Sequence, residues 1–202
     1  MSELLPGLVE IYRGWAGRYP DAEPLTVQFA AGDTAGAAID GVLAYPLERH
    51  WLLVTFGLTE LGGKTSPQAK VSGAGFEFTC RIPREPESTA PPQWVLRVMH
   101  AVADRFLAGA DLDLGHWIVT PGPLGGEPAN GAMTSLAIVP DVDLRGIDTD
   151  NGLVLFFQLV GLTADEGAAA QQAGTVDPLI AVLRDRDPDL VTDPAREPVA
   201  LD

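Results

Sequence analysis

The stretch FEFTCRI, residues 76–82, decides the fold class because its apolar and polar side chains alternate without a break. A period of two places successive side chains on opposite faces of a β-strand. One face therefore carries Phe76, Phe78, Cys80 and Ile82, and the other carries Glu77, Thr79 and Arg81. Pro83 ends the pattern. We predict a half-buried strand with Cys80 on its core side, where a free thiol behaves as a small hydrophobe.

Two longer apolar runs predict the strands around it. Residues 51–56, WLLVTF, indicate a buried strand, and residues 153–160, LVLFFQLV, are apolar on both faces. A strand that is apolar on both faces is typical of the middle of a sheet. Shorter strands are predicted at residues 25–29, 116–119, 135–139 and 199–201.

Four helices are also predicted, the first of them before all of these strands. Apolar residues at spacings of three and four indicate an amphipathic helix near the N-terminus, at Leu4, Leu8, Ile11, Tyr12 and Trp15. Pro91-Pro92 opens a second helix that Gly109 closes. Thr163 and Glu166 form a capping box for a third helix, which runs to about Ala173. Asp177-Pro178 begins the fourth. The absence of a linker predicts one domain over residues 1–202, of α/β (α+β) class with a mixed sheet.

The charge balance excludes several classes of partner. The chain has 13 Lys and Arg against 28 Asp and Glu, a net charge of −15. Such a surface repels nucleic acid and anionic lipid.

The longest apolar run, residues 153–162, is interrupted by Gln158 and is shorter than the roughly 20 residues that span a bilayer. The N-terminus lacks the basic segment of a signal peptide. We expect a soluble, cytoplasmic protein.

The segment GLTELGGKTS, residues 57–66, is similar at first sight to a phosphate-binding loop of pattern G-x-x-x-x-G-K-S/T. Counted back from Lys64, the first glycine of the pattern falls on Leu58. The loop must also lead into a helix, but it leads into VSGAG, residues 71–75, which does not favour one. We predict a strand end and a turn there, with no nucleotide and no cofactor.

Acidic residues near a histidine form the candidate site. Asp111, Asp113 and His116 lie within six residues, and Asp141 with Asp143 could complete a set of ligands for a hard metal. The alternative is that these aspartates cap turns, because no full metal-loop pattern is present. We predict no metal and no catalytic residue, and expect these five residues to bind a partner, with the four aspartates exposed in loops.

The order of several motifs is similar to that of a known family. The chain carries GLTEL at residues 57–61, GAGFEFTCR at 73–81, FFQLVGLT at 156–163 and LVTDPAR at 190–196. In this series it resembles the suppressor of fused domain family, with the strongest similarity over residues 41–201. The resemblance implies a mixed, mostly antiparallel sheet packed with helices and no enzymatic activity.

The resemblance also suggests what the partner is. Animal members hold a transcription-factor peptide between this domain and a second one, which is not expected here because the sequence ends at Asp202. The animal SGDH segment corresponds to Leu114-Gly115-His116 without its acid, which argues against peptide binding of the animal kind. Stand-alone bacterial members are often immunity proteins that silence a polymorphic toxin.

Three functions are therefore carried forward. The first is a non-enzymatic bacterial immunity protein that binds a basic toxin domain, since the composition is typical of a high-GC bacterium and the charge of −15 complements a cationic partner. The second is a scaffold or regulator that binds a peptide along a sheet edge. The third is a small-molecule-binding or enzymatic domain at Asp111, Asp113 and His116. The sequence predicts neither an oligomeric state nor the partner's identity.

Overall fold

A single mixed β-sheet with helices on both faces organises the molecule. The computed structural model describes residues 5–29, 39–125 and 133–199. Within them the helices span Pro6–Arg18 (α1), Gln93–Leu107 (α2), Ala164–Ala173 (α3) and Asp177–Arg186 (α4). The strands span Leu25–Gln28 (β1), Gly41–Pro46 (β2), His50–Phe56 (β3), Val71–Pro83 (β4), Trp117–Val119 (β5), Met133–Pro140 (β6), Gly146–Thr149 (β7) and Gly152–Thr163 (β8).

The sheet has the order β1-β2-β3-β4-β8-β6-β5, and β7 pairs with β8 outside this path. The pairing of β4 with β8 is parallel, and the other pairings are antiparallel. The predicted α+β class with a mixed, mostly antiparallel sheet is confirmed. The central position predicted for residues 153–160 is also correct, because β8 lies between β4 and β6.

Each face of the sheet packs against helices. Helix α2 covers one face through Val95, Met99 and Val102, which contact the odd-numbered side chains of β3 and the even-numbered ones of β4. Helix α1 covers part of the other face, with Trp15 edge-on to Phe156 at 5.1 Å between ring centroids. Helices α3 and α4 cover the rest of that face. The sheet is thus the middle layer of three.

The prediction that residues 76–82 form a half-buried strand is wrong on one point. Cys80 lies in the core, as expected, but Glu77, Thr79 and Arg81 on the opposite face are also buried. Helix α1 and the segment around residue 141 cover that face, so its polar groups need partners within the protein. Val199 is not in a strand, and residues 200–201 of the predicted terminal strand lie outside the described residues.

Among the described residues, no helix is long and apolar enough to cross a membrane.

Candidate functional site

The loop from Asp111 to His116 and the strand that follows it form one edge of the sheet. Among the described residues, β5 has β6 as its one neighbour. The loop is fixed to β6 by Gly115 N, which donates to Ile138 O at 2.9 Å, and by Ile138 N, which donates to His116 O at 2.9 Å. Val119, at the end of β5, is 63% exposed. An unpaired edge strand presents backbone groups that another chain can bind.

Three of the predicted site residues meet in this loop. Asp111 and Asp113 are exposed, and His116 is half-buried. The His116 ring faces the loop backbone, with Nδ1 3.4 Å from Asp113 N and 3.3 Å from Asp111 O. The Asp113 carboxylate accepts the Leu114 N–H at 2.7 Å. The ring therefore holds the loop together and leaves two carboxylates facing solvent.

A groove lies beside this edge, between α2 and the turn after β5. Its volume is about 410 Å³, and its lining includes Val98, Val102, Ile118 and Leu124. Arg105 bridges the two elements through its Nη1, which donates to Val119 O at 3.0 Å. The apolar lining gives this edge side-chain contacts as well as backbone groups.

Asp141 is buried, which corrects the expectation that it is exposed. It is 1% exposed and accepts both Arg81 Nη1 at 2.8 Å and Arg81 Nη2 at 3.1 Å. Its Oδ2 also accepts the Thr79 hydroxyl at 2.6 Å, and its Oδ1 accepts the Asp143 N–H at 2.8 Å. All of these contacts are internal. Asp141 is the partner of a buried arginine on β4 and is not available at the surface.

Asp143 belongs mainly to the same network. Its Oδ2 accepts Arg81 Nη2 at 2.7 Å and the Tyr19 hydroxyl, and its Oδ1 accepts Arg18 Nη2 at 3.2 Å. Burial alone would raise the pKa of Asp143, but these donors outweigh it and lower that pKa. Burial and the bond to Asp143 raise the pKa of Tyr19 to about 12. The Asp141–Asp143 pair therefore lies apart in function from Asp111 and Asp113.

The GLTEL segment is organised by two carboxylates. Glu77 is buried, and its Oε1 accepts Gly57 N at 3.0 Å and Thr59 N at 2.8 Å, while its Oε2 accepts the Thr55 hydroxyl at 2.6 Å. Burial raises the pKa of Glu77, and these hydrogen bonds partly offset the rise. Gly57 has a φ of +118°, a conformation that L side chains rarely adopt.

The Gly-Lys-Thr-Ser run binds the second carboxylate, Glu60. Lys64 Nζ lies 3.0 Å from Glu60 Oε2, and the hydroxyls of Thr65 and Ser66 donate to the same side chain at 2.8 and 3.2 Å. Burial would raise the pKa of Glu60, but the donors from Thr65 and Ser66 outweigh it and lower that pKa. The lysine and hydroxyls that would hold a phosphate in a nucleotide-binding loop thus hold an internal acid.

Among the described residues, no three His, Cys, Asp or Glu side chains are grouped so that they could hold a metal ion. The sequence pattern did not predict the α2–β5 groove or the Arg81 network. One feature of the sequence pointed to the Arg81 network. Residues 153–160 are predicted to form a central strand, and a strand next to a central strand is itself covered on both faces.

A family model described as "Suppressor of fused protein (SUFU)" matches residues 37–197. The chain belongs to the suppressor of fused family. The human and mouse proteins named "Suppressor of fused homolog" are each 29% identical to it over 160 residues, which is 74% of this chain and 32% of theirs. This suppressor of fused domain thus spans about a third of the length of those curated relatives.

Solved structures of the family share the fold. The chain in "the Sufu-Fu complex crystal structure" superposes with a TM-score of 0.81 at 26% identity, over 96% of this chain and 92% of that one. Drosophila Suppressor of Fused gives 0.82 at 26% identity, over 96% of this chain and 51% of that one. A SUFU homolog from Neisseria gonorrhoeae gives 0.67 at 14% identity, over 96% and 97%. Because the identity to the Neisseria gonorrhoeae protein is 14%, that comparison shows a shared fold and nothing more.

Proposed function

We propose that this suppressor of fused domain is a non-enzymatic protein-binding module that captures and silences a basic toxin domain in the cytoplasm, as a bacterial immunity protein. The observation that carries the proposal is the position of two exposed carboxylates, Asp111 and Asp113, directly before the open edge of β5. A net charge of −15 extends the same negative field over the molecule. Complementary fields speed the capture of a cationic partner.

Membership in a protein-binding family supports the general part of this proposal. The printed name of one similar structure describes a complex, Sufu with Fu. The lack of catalysis is supported by the way the buried acids are used, since Glu77, Asp141 and Glu166 each accept several internal hydrogen bonds. An acid held in this way contributes to the fold rather than to proton transfer.

Co-expression tests the immunity role. The C-terminal domain of the protein encoded by the neighbouring gene is expressed in bacteria with and without this chain, and we expect growth to stop without it and to recover with it. The double variant Asp111→Asn/Asp113→Asn should lower the protection. The double variant Asp21→Asn/Asp148→Asn changes two other exposed aspartates, so it makes the same change in net charge and should protect fully. Absence of rescue by the unmodified chain overturns the immunity role.

A second candidate is a regulator that binds an extended peptide at the β5 edge, and the apolar groove beside β5 favours it. An added strand would pair with β5 and place alternate side chains in that groove. Val119→Asp tests it, because the substitution places a charge at the exposed end of the strand. If Val119→Asp no longer binds the partner while Asp111→Asn/Asp113→Asn binds it fully, the peptide regulator is favoured. The reverse pattern would favour electrostatic capture.

A further inference from the structure

The groove between α2 and the turn after β5 combines an apolar floor with two arginines at its rim. Its volume of about 410 Å³ lies within the roughly 300–1,000 Å³ typical of small-molecule sites. The lining begins at Trp94 and ends at Arg105 along α2, a span of about 16 Å at 1.5 Å per residue. The groove therefore has room for an elongated apolar body. Its floor consists of Trp94, Val98, Val102, Ile118, Pro123 and Leu124.

The charged side chains that line this groove are all positive. Within the described part of the chain they are Arg97 and Arg105, and no Asp or Glu lines the groove. Neither arginine forms an ion pair with a described residue. Asp104, the acid next to Arg105 in the sequence, lies 3.0 Å from His100 Nδ1 and pairs with it. The lining therefore carries two positive charges and no negative charge to balance them.

Arg105 is held in a position from which it can bind both oxygens of a carboxylate. Its Nη1 donates to Val119 O at 3.0 Å. This carbonyl is neutral, so it fixes the guanidinium between α2 and β5 and leaves its charge uncompensated. The Nε and Nη2 groups have no partner among the described residues. Two such N–H groups of one guanidinium form parallel hydrogen bonds to the two oxygens of a carboxylate.

Arg97, Ala101 and Arg105 form one stripe along α2. Residues four apart on a helix are neighbours on the same side, each about 6 Å from the next along the axis. Ala101 lines the groove, is exposed, and has a side chain of one carbon atom. It therefore leaves the space beside Arg105 open. Arg97 adds its charge about 12 Å from Arg105 along the axis.

We propose that this groove binds a small monocarboxylate with an elongated apolar body, whose carboxylate pairs with Arg105 and whose body lies on the apolar floor. The net charge of −15 opposes an anion, but salt screens charges beyond the Debye length of about 10 Å at 0.1 M. Asp111 and Asp113 do not line the groove. Binding of this ligand requires neither the toxin domain nor a peptide on β5, so the inference goes beyond the proposed function.

Calorimetry with octanoate and octylammonium tests this inference, because the two probes have the same tail and opposite head groups. We expect octanoate to bind at one site with a Kd on the order of 1 mM or tighter, and octylammonium to give no saturable heat. Arg105→Gln should weaken octanoate binding by about tenfold, because it removes the charged pair of donors. Arg97→Gln should weaken it by about twofold, the effect of a charge about 12 Å away in water.

A carboxylate introduced at Ala101 should compete with the ligand. Ala101→Glu places an acid one turn from each arginine, where it can pair with both, and should abolish saturable octanoate binding. Ala101→Gln adds a side chain of the same size without the charge, so it should weaken binding less. Ala101 is exposed, so both variants should keep the thermal stability of the unmodified protein.

Arg13→Gln is the matched control for the arginine variants, because Arg13 is an exposed helical arginine that does not line the groove. It should bind octanoate with unchanged affinity. The inference is overturned if octanoate gives no saturable heat, if the two probes bind equally well, or if Arg105→Gln binds octanoate as tightly as Arg13→Gln does. Equal affinity of Ala101→Glu and Ala101→Gln overturns it as well. None of these outcomes depends on the toxin partner.

Discussion

Arg81 shows how one residue on β4 determines the roles of two distant aspartates. Its guanidinium is fully buried and contacts Asp141 and Asp143, which lie 60 and 62 residues further along the chain. No local pattern in the sequence joins these positions. The sequence therefore groups Asp141 with the exposed Asp113 as one acidic set, whereas the structure gives the two residues different tasks.

Asp141→Asn should lower the free energy of unfolding by about 2–3 kcal/mol, because it removes one of the two carboxylate charges that compensate the buried guanidinium and leaves Asp143 alone to do so. Urea unfolding at pH 7 measures the change. The exposed Asp113→Asn serves as the control and should stay within about 0.5 kcal/mol of the unmodified protein. Equal stability of the two variants would show that the Arg81–Asp141 pair does not support the fold.

Cys80 should react with thiol reagents only after the protein opens. It is 2% exposed on the α2 side of β4, and burial raises the pKa of its thiol to about 12. The thiolate is the reactive form, so both access and ionisation oppose labelling. We expect native protein to resist a disulfide reagent for as long as it stays folded and to react at once in urea. Rapid labelling of the native protein would contradict the burial of Cys80 between β4 and α2.

The Glu166–Arg196 pair should make stability fall in acid. Burial would raise the pKa of Glu166, but Arg196 and the Val199 and Thr163 N–H groups outweigh it and lower that pKa. The unfolded chain then takes up the proton first as pH falls, with a glutamate pKa of about 4.3. This stabilisation is fully present above that value and is lost as pH falls toward the lower folded value.

Arg196→Met removes the bidentate partner and should cost about 3 kcal/mol near pH 7, since it leaves a buried carboxylate uncompensated. Unfolding free energies measured from pH 7 to pH 3 should show the gap between the variant and the unmodified protein narrowing as the pH falls, because protonation of Glu166 removes the charge that Arg196 compensates. A gap that stays constant over this range would show that the pair acts through packing rather than charge.

At the scale of elements, the C-terminal segment, residues 187–199, bridges the parallel strands β4 and β8 by hydrogen bonds. Thr192 N donates to Arg81 O on β4 at 2.8 Å, and the Thr192 hydroxyl accepts Gly161 N from β8 at 2.8 Å. One residue thus satisfies backbone groups of both strands after their own pairing ends at Cys80 and Leu159. The LVTDPAR motif, residues 190–196, is accordingly structural, with Leu190 in the core and Arg196 on Glu166.

Thr192→Val should lower the free energy of unfolding by about 1–3 kcal/mol, because it leaves the buried Gly161 N–H without an acceptor at similar side-chain volume. Thr192→Ser keeps the hydroxyl and should lose clearly less. Chemical unfolding of the two variants side by side makes the comparison. If the serine variant is the less stable of the two, Thr192 stabilises the protein through its methyl group and not through the hydrogen bond.

The sequence predicts most of the described elements, including the short strands β1 and β5 and the strand β6, which are expected at residues 25–29, 116–119 and 135–139. Strands β3, β4 and β8 and all four described helices follow from apolar spacing and caps, including the capping box of Thr163 and Glu166 that begins α3. Strands β2 and β7 are not predicted. Strand β2 is apolar on both faces without alternation, and β7 is four residues long with no period to detect. Their places depend on pairing with β3 and β8, which is tertiary information.

The sequence likewise predicts one part of the candidate site and not the rest. Asp111, Asp113 and His116 are close in sequence, so their meeting in one loop could be predicted. The open edge of β5 depends on the strand order, and the groove beside it depends on the packing of α2 against that edge. A local reading of the sequence shows neither of these, since both arise from residues that are distant along the chain.

At the scale of the whole molecule, charge and topology support the same function. Helices cover both faces of the sheet, and β5 is an edge strand preceded by the exposed Asp111 and Asp113. If this edge captures a cationic protein, long-range attraction should set the rate of encounter. Attraction of that kind is screened by salt, because the Debye length falls from about 10 Å at 0.1 M to about 3 Å at 1 M.

The association rate of the purified partner domain, measured against salt concentration, tests the central claim most directly. We predict that the rate falls by at least about tenfold between 0.1 and 1 M salt. Asp111→Asn/Asp113→Asn should lower the rate and flatten this dependence more than Asp21→Asn/Asp148→Asn does. A rate that is insensitive to salt, or equal in the two double variants, would contradict capture through the acidic edge of β5.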